Sequence, residues 1–135
     1  MKQIILQKFI TREDIQINKH WLYIFGDNDK RVGKGGQAKE MRGEPNSIGI
    51  RVKKTSGTKE EAYYTDVEAL KNIENITQDF KIIEEHLMNG GIVVIPIDGI
   101  GTGLAKLKDI APITLQFVKG MIKELIKRYG LKETK

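Results

Sequence analysis

The chain predicts a single α/β domain spanning residues 1–135, three layers deep, with helices on both faces of a mixed, mostly parallel sheet. Three observations lead there. Short apolar runs alternate with segments of helical period, as in strand–helix–strand units. Ile92 to Ile97 is almost wholly apolar, which suits a central parallel strand covered on both faces. Two glycine-rich turns each follow an apolar run, where parallel strands hand over to helices.

In chain order, Gln3 to Phe9 alternates loosely and reads as an edge strand. Thr11-Arg-Glu-Asp14 has the form of a capping box, with Asp in place of Glu, and opens a short helix. Leu22 to Phe25 reads as a buried strand. A glycine turn ending at Gly36 leads into a helical stretch from Gln37 to Arg42, stopped by Gly43 and Pro45. Ser47 to Lys53 is a third strand. Ala62 to Thr65 reads as a brief strand, and Val67 to Ile73 as a helical turn or two.

A longer helix is expected to start at Thr77, a good N-cap residue. Its apolar stripe holds Phe80, Ile83 and Leu87, with Ile82 and Met88 beside them, and Gly90-Gly91 ends it. The last helix is expected from about Asp109 to Tyr129. Ile110, Ile113, Phe117, Met121, Leu125 and Tyr129 would form its buried face, and Gly130 its stop.

Composition narrows the function classes. The 135 residues are 39% hydrophobic and 30% charged, a balance typical of a globular domain rather than a disordered one. There is no cysteine, so disulfides and thiolate metal sites are excluded; this suits a reducing, cytoplasmic setting. No apolar run reaches the roughly 18 residues of a membrane span, and Met1 to Phe9 is too polar for a signal peptide. No membrane partner and no cofactor are expected.

The formal net charge is +5, gathered near Lys30, Arg31 and Lys34, near Arg51, Lys53 and Lys54, and from Lys123 to Lys135. Such a surface suits a small polyphosphate ligand or nucleic acid. Aromatic residues make up only 7% and are not interleaved with the basic clusters, which favours the small ligand.

The two glycine turns carry most of the chemistry. Glycines leave backbone N–H groups unshielded and accept positive φ, so closely spaced ones cradle anions. The first turn runs through Asp27, Asn28, Gly33, Lys34, Gly35, Gly36 and Gln37. It is neither a Walker loop, since no Gly-Lys-Ser/Thr ends it, nor a dinucleotide fingerprint. The second runs through Asp98, Gly99, Ile100, Gly101, Thr102, Gly103 and Leu104, with the Thr102 hydroxyl as an added donor.

His20 and His86 have no ligand spacing and read as surface or helix residues. Trp21 reads as a core or rim aromatic. Lys123 to Arg128 reads as a solvated helix face, and Arg42 with Glu44 as a helix-end ion pair. Two readings of Tyr63-Tyr-Thr-Asp66 stand side by side: a wall of the ligand cleft, or a half-buried strand.

Taken in order, a strand, an Asn/Asp turn, Gly-Lys-Gly-Gly-Gln-Ala38, a helix, and later Pro96-Ile-Asp-Gly-Ile-Gly-Thr-Gly-Leu104 resemble a macrodomain. The resemblance covers Leu22 to Tyr129. In that family the two loops embrace the diphosphate and distal ribose of ADP-ribose. Arg51-Val-Lys-Lys54 and Gly101-Thr-Gly-Leu-Ala-Lys-Leu107 are similar to the branch that removes ADP-ribose from glutamate side chains.

The resemblance implies an ADP-ribose-like nucleotide as ligand, with an ADP-ribosylated protein as a partner in the hydrolase case. It implies Lys53 as the nucleophile at the anomeric carbon, a role that needs burial or cationic neighbours to free its amine. Ala105 stands where that branch has its assisting Asp, which leaves Asp98 or Asp27 as acid or base. A non-catalytic binder of the same nucleotide, and a nucleic-acid accessory protein, are the two alternatives.

Overall fold

The computed structural model describes residues 2–101, 103 and 105–132. Four strands, β1 (Ile4–Gln7), β2 (Leu22–Asn28), β3 (Ser47–Lys53) and β4 (Val93–Pro96), form one sheet in the order β1-β4-β2-β3. Every pairing between them is parallel, where the sequence left room for a mixed sheet. β4 is central, as its apolar run requires, and β1 is an edge.

Alternation along the strands sorts two cores. Ile4, Ile24, Ile50, Val52, Val93 and Ile95 pack with α3 (Ala69–Met88) and α5 (Pro112–Tyr129). Ile5, Tyr23, Phe25 and Val94 pack with Ile15 of α1 (Arg12–Ile17) and with Ala38 and Met41 of α2 (Ala38–Met41). Helices therefore cover both faces of the sheet. Among the described residues, no helix is long and apolar enough to cross a membrane.

The capping box at Thr11 forms as read: the Asp14 N–H donates to Thr11 Oγ1 (3.2 Å) and the Thr11 N–H to Asp14 Oδ2 (3.1 Å). Thr77 does not cap a helix. It lies inside the 20-residue α3, its hydroxyl donating back to the Ile73 carbonyl (2.7 Å), a bond that lets threonine sit within a helix.

The last helix is two. α4 (Leu107–Ile110) stops at Ala111, whose φ of −140° breaks the helical path, and α5 restarts with Pro112 at its first position. The break turns the buried face to Thr114, Leu115, Val118 and Leu125, leaving Ile113 58% exposed. Ala62 to Thr65 forms no strand beyond one antiparallel bridge, Lys53 to Tyr63; a 3-10 turn over Glu60–Ala62 precedes it.

The pole where the strands begin is tied by side-chain amides, one buried (Gln3) and one half-buried (Asn46). Gln3 Nε2 donates to the Leu87 and Gly91 carbonyls, and Asn46 Nδ2 reaches those of Ile15, Asn18 and Trp21. Each sheet edge is partly occupied. Leu131 bridges Ile4 of β1. On β3 the Arg51 N–H donates to Asp79 Oδ2 (2.8 Å), while Arg31 Nη1 donates to the Gly49 carbonyl (2.6 Å).

Candidate functional site

In a parallel sheet, ligands bind beyond the carboxyl ends of the strands, where neighbouring connections leave toward opposite faces. Here that point lies between β2, whose chain turns to α2 on one face, and β4, whose chain turns to α5 on the other. A cavity of ≈ 340 Å³ opens there, within the size range of small-molecule sites. Both glycine turns line it, with Gln7 and Lys8 from the end of β1 and Lys53 from the end of β3.

The first turn is shaped by its own side chains. Asn28 Nδ2 donates to the Val32 carbonyl (2.7 Å), and Asn28 Oδ1 accepts the Lys30 N–H (3.0 Å), an Asx-type turn. Gly33 follows with φ +104°, and a Cβ there would press on Ser56. Arg42 Nε then holds the Gly33 carbonyl at 2.7 Å.

The second turn begins with the Gly99 N–H donating to the Pro96 carbonyl (2.9 Å). Gly101, at φ +84°, passes its carbonyl to the Leu107 N–H (3.1 Å). Gly26 lies beneath the second turn: a Cβ on it would make ordinary contacts with Val52 Cγ2 (3.4 Å) and the Gly101 nitrogen (3.7 Å).

The sequence-predicted residues Asn28, Gly33, Gly35, Gly36, Gln37, Gly99, Gly101 and Gly103 line this one cavity, with Lys53, Asp27 and Asp98. Lys34 is exposed and outside the lining. Ile100 also lies outside it, because its side chain, 2% exposed, packs into the core under α3 and α5. Thr102 and Leu104 fall outside the described residues.

Asp27 is an anchor. Its carboxylate is buried and accepts hydrogen bonds from Arg42, Arg31 and the Asn28 N–H. Arg31 continues to Asp79, which also holds Arg51. Arg42 thus pairs across the fold with Asp27, and Glu44 pairs with Arg12, correcting the expected local Arg42–Glu44 pair. Both oxygens of Asp27 are engaged, and Asp98 stands exposed on the second turn, lining the same cavity.

Lys53 is nearly buried, at 9% exposure. Its ammonium donates to the Gly57 carbonyl (2.7 Å) and lies 4.7 Å from the centre of the Tyr63 ring. Lys106 approaches the same ring, at 5.6 Å. Burial first, and then the charge of Lys106, hold Lys53 below the usual lysine range, which favours the neutral, nucleophilic amine. Tyr63 therefore backs Lys53 from behind, and none of Tyr63 to Asp66 lines the cavity, so the cleft-wall reading does not hold. Ala105 is buried and lines the cavity without an acid to offer.

Sequence reasoning passed over Gly26, Arg42 and Phe9, all of which line the cavity. Gly26 had a signal in its position, a glycine at the end of an apolar strand run. Arg42 had none, because its partner lies 15 residues back. Among the described residues, no three His, Cys, Asp or Glu side chains are grouped to hold a metal.

A family model described as a family of unknown function, DUF7831, matches residues 5–121. No curated protein and no solved structure matches the chain.

Proposed function

The chain belongs to that DUF7831 family of unknown function, and from its own geometry we propose that it binds ADP-ribose or a related phosphorylated nucleotide. One observation carries the reading: glycine turns from two neighbouring parallel strands converge on a single cavity that also receives Arg42 and Lys53. Turns of this kind present backbone N–H donors to phosphate, and Arg42, paired with Asp27, holds the first of them in shape. The macrodomain-like character of the fold, and a cytoplasmic setting, are part of the same proposal.

A hydrolytic role is favoured by the lowered lysine. The Lys53 amine attacks the anomeric carbon of the distal ribose; the N–C bond forms as the C–O bond to a glutamate carboxyl breaks. The carboxylate leaves with the bonding pair, and the nitrogen passes a proton to Asp98. Water then adds to the same carbon as the N–C bond breaks. The hydroxyl stays on the ribose as free ADP-ribose, the lysine nitrogen takes the bonding pair and the water's proton, and Asp98 gives its proton to solvent. Without that chemistry the same cavity serves a binder that holds or sequesters the nucleotide.

Calorimetric titration with ADP-ribose tests the reading. Heat saturating at one equivalent is expected, and no binding up to millimolar ligand would overturn it. Hydrolysis is tested on glutamate-linked ADP-ribose with Lys53→Ala; equal product release by variant and wild type removes the lysine role. A nucleic-acid role would instead show affinity for oligonucleotides falling steeply with salt.

A further inference from the structure

The short link from β1 to α1 holds a residue that the fold itself does not use. Ile10 turns inward to 3% exposure and Thr11 caps α1, yet Phe9 between them and the strand is 83% exposed. Its φ is +27°, a conformation that costs a bulky side chain energy and that glycine or asparagine would take more easily. A phenylalanine at such a position returns neither burial nor hydrogen bonding to the chain. It does line the cavity.

On this flank the cavity also offers apolar surface: the Ile97 N–H bonds the Gln7 carbonyl (3.0 Å), which sets Ile97 beside the Phe9 link. Ile97 and Val32 also line it, 41% and 50% exposed. Gln7 Nε2 donates to Asp14 Oδ2 at 2.9 Å. The Lys8 ammonium lies 5.5 Å from the centre of the Phe9 ring, adding positive charge beside it.

We propose that Phe9 is the platform on which the base of the bound nucleotide stacks, and that the site reads the base by its flat face rather than by its edge. The inference rests on the nucleotide reading above and extends it to selectivity. Phosphates lie along the glycine turns, and the base leans out to the apolar mouth formed by Phe9, Ile97 and Val32. Every base has a π face, so stacking tolerates a change of base.

The test compares ADP-ribose, ADP and GDP binding by calorimetry for wild type, Phe9→Ala and Phe9→Trp, with thermal unfolding confirming that each variant is folded. Stacking on one aromatic side chain corresponds to a loss of about 5- to 150-fold on truncation. Phe9→Ala is therefore expected to weaken ADP-ribose by that factor, and Phe9→Trp to keep wild-type affinity. ADP and GDP should bind wild type within about threefold of each other, as sequence-tolerant stacking requires. Equal affinity in the alanine variant, equal loss in both variants, or strong preference for one purine would each overturn the platform while leaving the nucleotide site standing. Failure of wild type to bind any of the three would overturn the site and the platform together.

Discussion

Replacing Gly101 by alanine should unfold the second turn from beneath, while the same change at Gly103 should not. Gly101 sits at φ +84°, and an added Cβ would collide with Leu107 Cδ1 and lie 3.0 Å from Leu107 Cγ. Leu107 is fully buried in the core that holds Val52 and Ile100, so it has no empty space to retreat into. The backbone conformation costs an L-residue about 1–2 kcal/mol, and forcing atoms into a packed core typically adds about 1–3 kcal/mol. Gly101→Ala should thus lose roughly 2–5 kcal/mol. Among the described residues, a Cβ on Gly103 meets nothing within 4 Å, so Gly103→Ala should stay within about 0.5 kcal/mol of wild type. Urea unfolding measures both, with the slope unchanged if only stability moves. If Gly101→Ala unfolds at the wild-type midpoint, or Gly103→Ala is destabilised as severely, the account of this turn is wrong. Because Gly103 lines the cavity, its alanine variant should still lose ADP-ribose affinity, separating binding from folding.

Three further outcomes follow from the packing. Lys53 is held below the usual lysine range, so ionised Lys53 weakens the fold at lower pH, and that penalty fades as pH rises through the folded value. An amine-directed reagent should modify Lys53 at lower pH than peptide lysines, and Lys106→Met should move its midpoint upward; an unmoved midpoint would show that Lys106 has no part. Arg42→Ala strips the buried Asp27 of its two-pronged partner and should cost about 3 kcal/mol, with Arg42→Lys failing to restore it because an ammonium cannot span both oxygens and the Gly33 carbonyl; urea midpoints read this directly. Asp66 accepts the Ile113 and Thr114 N–H groups (3.0 and 3.3 Å), standing in for a side-chain cap that Ala111 cannot provide, so Asp66→Ala should lower stability by about 1 kcal/mol.

What the sequence shows and what it hides divide along physical lines. β3 has the predicted limits, Ser47–Lys53, and the Thr11 box closes as read, because period and capping are local properties. The core position of β4 follows from its uninterrupted apolar run. Thr77 misled because a threonine can cap a helix or bond back within one, and only the upstream residues' packing decides which. Pro112 starts a helix instead of being carried along by one, since the break at Ala111 depends on Asp66 reaching over from a distant turn. At the site, closely spaced glycines foretold two loops, and the parallel topology brings them to one cavity. The Asp27–Arg42–Gly33 chain was illegible, because partner choice among charged residues is made in three dimensions.

The guanidinium of Arg31 and the carboxylate of Asp79 occupy backbone positions on the outer edge of β3 that a visiting strand would need, and Leu131 bridges the outer edge of β1. Recognition by strand addition is thereby discouraged at both flanks. A macromolecular client would have to come end-on, offering a protruding group to the mouth rather than a length of main chain. Selection among such clients would then rest on the appendage they carry and very little on the sequence around it.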